Sequence, residues 1–352
     1  MEAGVNRRPM TSAEMIRAAQ EALGEGRADD YRIQPTQHAE ELANKAPVLA
    51  AALENPDLLY FSKRYEEKDQ QARENQARFR NIVNRANWAV LLTACFSTLL
   101  LIVGPMKSVG GLPLPVAMAI IGSCGVISGA VGSMWVYQAR EGKLLDNWMS
   151  ARAEAETLRK QYFETITGLE LTDNSSAIAP ALLQFEYFRR FQLDVQVSFY
   201  QRRSADHRKN ADRFLQVSAY SVALGSISAG LAAILTGLSP AWASIAALGT
   251  VATALSAFAA NRETVNQSRQ NLDRYTKAYE ALTTLKRKLD AVRAAAITGE
   301  REPITQFVAA AHEQITAEHR QWLAAAQSVQ PALDKLDESL AKLKPKAKEA
   351  KS

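Results

Sequence analysis

Cysteine is almost absent from this 352-residue chain, with only Cys95 and Cys124, and both lie in apolar stretches. That excludes a disulfide scaffold and a thiolate zinc site. The four histidines, His38, His207, His312 and His319, are scattered, and no set of carboxylates converges on the pair seven residues apart. The sequence therefore predicts no metal centre. A serine nucleophile elbow, a phosphate-binding loop and a dinucleotide fingerprint are all missing, so the chain reads as non-enzymatic and free of cofactors. Aromatic residues make up 7% and never interleave with a basic stripe, which argues against nucleic acid despite the net charge of +5.

Charge is missing in three places. Residues 86–106, 108–139 and 214–261 hold no Asp, Glu, Lys or Arg, in a chain that is otherwise 22% charged. A 19-residue helix over 86–104 rises roughly 28 Å, close to the roughly 30 Å of a bilayer's hydrocarbon core. The stretch 114–137 is also long enough. The 48 uncharged residues from Phe214 to Asn261 exceed one span and fit two, over 214–236 and 240–260, with Gly237, Leu238, Ser239 and Pro240 at the turn. A soluble core helix keeps a polar stripe toward water, whereas these segments are apolar or small all round. The expected fold is an all-α integral membrane protein with four spans arranged as two hairpins, continuing into long cytoplasmic helices.

The flanks predict orientation. Arg73, Arg78, Arg80 and Arg85 precede the first span, Arg140 and Lys143 follow the second, Arg202, Arg203, Arg208, Lys209 and Arg213 precede the third, and Arg262, Arg269 and Arg274 follow the fourth. The connection 105–113 carries only Lys107 and the 237–240 turn carries no charge. By the positive-inside rule both termini and the middle segment are expected in the cytoplasm of a bacterial inner membrane. The first 50 residues show no signal-peptide pattern, so the first span is expected to serve as an uncleaved anchor. The lysines 342, 344, 346, 348 and 351 form a basic tail that is either solvated or in contact with anionic headgroups.

Four regions are expected. Residues 1–55 form an N-terminal cytoplasmic helical segment, with a capping box from Thr11 to Glu14 and a helix over 38–53 kinked at Pro47. Residues 56–170 form a first two-span module and 178–298 a second. Residues 299–352 form a C-terminal cytoplasmic helical tail whose leucines 333, 336, 340 and 343 follow coiled-coil spacing. Asn55-Pro56 opens one helix that flows into the first span, with Leu58, Tyr65, Ala72, Phe79 and Ala86 at heptad spacing.

The two modules repeat. Tyr65, Asn75, Arg78 and Phe79 align with Tyr200, Asn210, Arg213 and Phe214 at a constant offset of 135 residues, and Arg140-Glu141 and Arg262-Glu263 close each hairpin. Both copies run the same way, unlike the inverted repeats of many secondary transporters. Each Asn and Arg sit about one turn apart just before a span, where the Arg is placed to pair with headgroups or with a carboxylate such as Glu156.

These residues, with Trp148, Arg152, Ala155, Glu156, Leu158 and Tyr162 behind the first hairpin, resemble the SLATT family, two-transmembrane effector modules associated with SMODS nucleotidyltransferases and SLOG domains. The resemblance is closer over 58–166. Gln270 stands where Trp148 would repeat, so the second copy looks diverged. The resemblance implies an effector that perturbs the inner membrane when a partner senses infection or a nucleotide signal.

Small residues supply helix-packing faces. Gly125 and Gly129 form a GxxxG pair; Gly225 and Ser228 lie on one face of the third span and Gly249 and Thr253 on one face of the fourth. They pack the hairpins within one chain, join subunits of a homo-oligomer, or do both. The spans contain no ionisable relay residue, which disfavours coupled transport. Three readings stay open: an oligomeric effector that permeabilises the bilayer, a passive channel component with hydroxyls such as Ser226, Thr250 and Thr253 along a wet path, and a membrane-anchored scaffold for a cytoplasmic partner.

Overall fold

The computed structural model describes residues 10–25, 31–171, 177–237 and 240–327, together with 331, 334 and 338. The leucine repeat at 333–343, the lysine-rich tail, the break at 172–176 and residues 238–239 of the 237–240 turn lie outside the described residues. The fold is all-α apart from one two-stranded ladder among the described residues.

Helix α1 (Ser12–Leu23) opens with the expected capping box, Glu14 and Thr11 each satisfying the other's backbone. The helix expected over 38–53 is two helices, α2 (Pro35–Leu42) and α3 (Pro47–Leu53). Pro47 has no N–H to give to an upstream carbonyl, so the chain restarts there with proline in the first turn. Helix α4 (Pro56–Val103) runs 48 residues without interruption.

Residues Ser108–Val109 (β1) pair antiparallel with Leu112–Pro113 (β2), Val109 opposite Leu112. Gly110 at φ 56° and Gly111 at φ 80° form the left-handed two-residue loop this twist demands. Helix α5 (Leu114–Glu141) returns, and after Gly142 and Lys143 the chain continues as α6 (Leu144–Gly168). Helix α7 (Pro180–Phe188) passes through a π-helical turn, Arg189–Asp194, into α8 (Val195–Thr236). A 3-10 stretch, Pro240–Ala247, precedes α9 (Leu248–Asn266), so the fourth span begins more tightly wound than an α-helix. Then come α10 (Ser268–Lys286), α11 (Leu289–Ile297) and α12 (Glu302–Gln327).

The chain divides into two compact units. The first comprises residues 1–73, 149–205 and 272–323. Its core is built around α7, in which every residue from Ala181 to Phe188 is buried. Phe185 meets Phe307 edge-on at 5.3 Å, and Phe163 lies against both Tyr162 and Phe188. The exposed carbonyls at the end of α6 are satisfied by Gln184, whose Nε2 donates to Ile166 at 2.6 Å and Leu169 at 2.9 Å, and by Arg301, which donates to Leu169 at 2.7 Å.

The second unit comprises residues 74–148, 206–271 and 324–352 and holds the apolar stretches. Among the described residues four helical runs are long and apolar enough to cross a membrane, with mean hydropathy of 2.0, 2.0, 1.6 and 1.4 over their most apolar windows. Their outer surfaces are greasy: Ile127 is 61% exposed and Ile234 70%. Such surfaces belong against lipid, and the chain is an all-α membrane protein. Half of the first span's window is buried, against 11%, 17% and 22% for the others, so its neighbours wrap around it.

Candidate functional site

Within the second unit, the small residues bring helices of each hairpin together. A methyl group on Gly125 would lie 3.4 Å from Phe96 Cβ, and one on Gly129 would lie 3.7 Å from Thr93 Oγ1. In the second hairpin Gly225 faces Ala252 at 3.4 Å and Gly249 faces Ser228 at 3.7 Å by the same measure. All four glycines therefore serve packing inside the chain. Thr253 does not share that face: it is exposed and its hydroxyl donates back to the Gly249 carbonyl at 2.9 Å. The face of α9 that meets α8 runs instead through Gly249, Ala252 and Ala259.

Several hydroxyls inside the hairpins are spent locally, whereas Ser133 Oγ is buried without a hydrogen-bond partner among the described residues. Thr93, Thr98 and Ser221 each donate to the carbonyl one turn earlier, at 2.8, 2.9 and 2.7 Å. Ser226, Thr250 and Thr253 are exposed on the outer surface and line no interior path within one chain.

The residues leading into the spans divide. Phe79 is buried, 6.1 Å from the Trp148 ring, with the Arg80 guanidinium 5.9 Å from the same ring. Asn75 is half-buried and Arg78 exposed. In the second copy Asn210 and Arg213 are both exposed, and Phe214 lies under the Arg262 guanidinium at 5.9 Å. Glu156, one of the partners offered above for the juxtamembrane arginines, is held by Arg152 one turn earlier on its own helix.

A charged network fills the first unit. Arg152 donates to Asp69 at 2.8 Å and to Glu156, and Asp69 also accepts from Arg73. Burial would pull Arg152 down, yet its electrostatic interaction with Glu156 first, then Tyr65 and Asp69, raises it above the ordinary arginine value. Burial pushes Glu156 up, but Arg152, Arg159 and His319 outweigh it and hold the carboxyl below its usual range. Arg159 is 2% exposed and donates to Gln192 Oε1 at 2.5 Å, to the Tyr31 carbonyl at 2.8 Å, to the Tyr65 hydroxyl at 3.2 Å and to the Phe191 carbonyl at 3.1 Å. Tyr65 therefore belongs to this network. Tyr200, its counterpart in the repeat, meets the opposite charge and donates to Glu318 Oε2 at 3.3 Å.

Glu186 is fully buried on α7, between Arg189 Nε at 2.5 Å and Arg293 Nε at 2.6 Å. Arg159, Glu186, Arg293 and Glu318 were not singled out from the sequence. The available signal is local: Glu186 sits among Phe185, Tyr187 and Phe188, where a carboxylate survives only with partners. A cleft of about 220 Å³ lies between the 32–34 segment and α4, lined by Arg32, Tyr65, Asp69 and Arg73 among others. Among the described residues no group of His, Cys, Asp and Glu has metal-binding geometry.

Comparison with known families decides the relationship. Residues 187–322 match the model of SLATT_1, the SMODS and SLOG-associating 2TM effector domain 1. This segment is similar to the SLATT family. It runs from the end of α7 through the second hairpin to α12, whereas the motif comparison rated the first hairpin the closer copy. SLATT similarity thus rests on the second hairpin. No curated protein and no solved structure matches the chain significantly.

Proposed function

We propose that this protein is a non-enzymatic effector of the bacterial inner membrane, which oligomerises and permeabilises the bilayer in a conflict or anti-phage defence system. The observation that carries this reading is that the SLATT_1 match and one of two span-length hairpins fall on the same residues. On this reading both termini are cytoplasmic, a partner that makes or senses a nucleotide signal supplies the trigger, and neither a cofactor nor nucleic acid takes part. The first hairpin is a second copy of the module. In support, a residue in left-handed conformation follows each returning span, Lys143 at φ 45° and Gln267 at φ 50°.

A conducting path requires more than one chain on this reading, since the hydroxyls of Ser226, Thr250 and Thr253 face outward. Purified protein in liposomes loaded with a self-quenched dye provides the test. Leakage that rises steeply with protein-to-lipid ratio is expected; retention of dye at every ratio, with and without nucleotides, would remove the permeabilising role. The scaffold reading draws on the densely packed first unit and is favoured if a partner is captured while the bilayer stays sealed.

A further inference from the structure

Five helices bring ionisable side chains to one place in the first unit. Helix α6 contributes Arg152 and Glu156, α8 contributes Tyr200, α10 contributes Arg274 and Tyr275, and α12 contributes Glu318 and His319. Helix α4 adds Asp69 and Tyr65, through Arg152 and Arg159. The cations here are already engaged: Arg152 with Asp69 and Glu156, and Arg274 with the Gln321 carbonyl at 2.8 Å. Glu318 is left with the Tyr200 hydroxyl, and among the described residues no lysine or arginine forms an ion pair with it. The Tyr200 and Tyr275 rings, 5.7 Å apart, wall this region with apolar surface.

We propose that Glu318 is a proton-operated clasp: protonated, it seats α12 against α8 and α10, and on losing its proton it loosens that seat. The geometry supplies the reason. A neutral carboxyl fits beside the buried Tyr200 phenol and the half-buried Tyr275 ring and donates a hydrogen bond of its own, whereas a carboxylate there is partly desolvated and faces the Glu156 carboxylate.

Burial, set against Arg274 and reinforced by Glu156, raises Glu318 to about 7, so the change falls near neutral pH. The surrounding groups are shifted away from neutral pH. Glu156 is held below the usual carboxylate range and Tyr275 is pushed up to about 12, chiefly by burial. His319 and His312 are both lowered by burial, placing their titration on the acid side. A group whose value rises on folding stabilises the closed form at low pH and loses that contribution as pH climbs through the raised value.

Hydrogen exchange of α12 amides in the full chain, reconstituted in nanodiscs, tests this at pH 6 and pH 8 after correction for intrinsic exchange. One proton bound only in the closed form predicts that opening of α12 increases about tenfold between these pH values. Glu318→Gln should abolish the dependence and keep α12 as protected at pH 8 as the parent is at pH 6. Tyr200→Phe removes a donor that favours the carboxylate, and should move the midpoint upward. A parent without pH dependence, or a Glu318→Gln variant that retains it, overturns the clasp. If Glu318→Gln fails to fold, an unmoved midpoint in Tyr200→Phe overturns it equally.

Discussion

Arg159 Nη2 donates to the carbonyl of Phe191 at 3.1 Å, and Phe191 sits inside the π-helical turn Arg189–Asp194. The two features explain each other: wider winding displaces carbonyls from the ordinary ladder, and a buried guanidinium needs acceptors. Arg159 also binds Gln192 in the same turn and Tyr31 in the segment leading to α2. Replacing it with Met strands three buried acceptors, Gln192 Oε1, the Phe191 carbonyl and the Tyr65 hydroxyl, at about 1–3 kcal/mol each, so a loss of at least about 3 kcal/mol is expected. Thermal unfolding of the full chain in detergent measures it, and an unchanged midpoint would show that water replaces the guanidinium without cost.

Glycine at 125 and 129 sets how close the helices of the first hairpin come. The space at Gly125, 3.4 Å to Phe96 Cβ, admits a methyl group at ordinary contact distance but no longer side chain. Gly125→Ala is expected to shift stability by under about 1 kcal/mol, whereas Gly125→Leu forces the helices apart at about 1–3 kcal/mol. Because the contact is internal, unfolding should respond before assembly size does. Gel filtration beside thermal melts separates the two, and a smaller assembly without loss of stability would assign the face to subunit contacts.

What could be read from residues alone follows the range of the forces involved. The spans were legible because a charge in hydrocarbon is excluded at every position, and so were the starts at Thr11 and Pro56, which depend on neighbours three residues away at most. The break between α2 and α3 was underestimated as a kink, although Pro47 marked the place. The network was not legible. Arg159 meets Tyr65 across 94 residues of chain and Arg293 meets Glu186 across 107, and an arginine destined for burial has the same local composition as one destined for solvent. Thr253 lies one turn from Gly249 on the same helix, but the contact stripe follows Gly249, Ala252 and Ala259, at spacings of three and seven, and a small residue one turn on can fall on either side of such a stripe.

Lys143 is an exposed non-glycine residue at φ 45°, directly after α5. Side chains pay about 1 kcal/mol for that conformation and glycine does not, while a β-branched residue pays more. Lys143→Gly should stabilise by about 0.5–1 kcal/mol and Lys143→Ile should destabilise by more than that. Chemical unfolding of both variants checks the order, and equal stability would show the backbone relaxing at this joint.

Topology follows from the arginine and lysine asymmetry. Reporter fusions after Met1, within 172–178 and after Ser352 should read cytoplasmic, and one at Lys107 should read external. A middle segment found outside would remove the two-hairpin arrangement, whatever the leakage assay shows.

His38 should give the first unit an acid limit. Its ring stacks on Phe191 at 4.0 Å and its Nδ1 pairs with the Tyr187 hydroxyl at 2.8 Å, which in turn meets Tyr162 at 2.8 Å. Burial, opposed by Glu41 and assisted by Arg190, pushes the imidazole down to about 4. A histidine lowered on folding leaves the unfolded chain as the better proton binder between that value and its ordinary one near 6.5. Its contribution is therefore complete above about pH 6.5 and is lost as pH falls toward 4, by up to about 3 kcal/mol. The sign is opposite to that of Glu318, whose contribution fades as pH rises through about 7. Because the Glu318 contribution fades over an overlapping range, between its ordinary value near 4.5 and about 7, the His38 effect is read as a difference: the melting midpoint of His38→Gln should gain on the parent's as pH falls from about 6.5 to 4.5 and keep a constant distance from it above about pH 7. Melting midpoints from pH 4.5 to 8.5 decide it; a difference between parent and variant that does not change with pH would show that His38 does not set the acid limit.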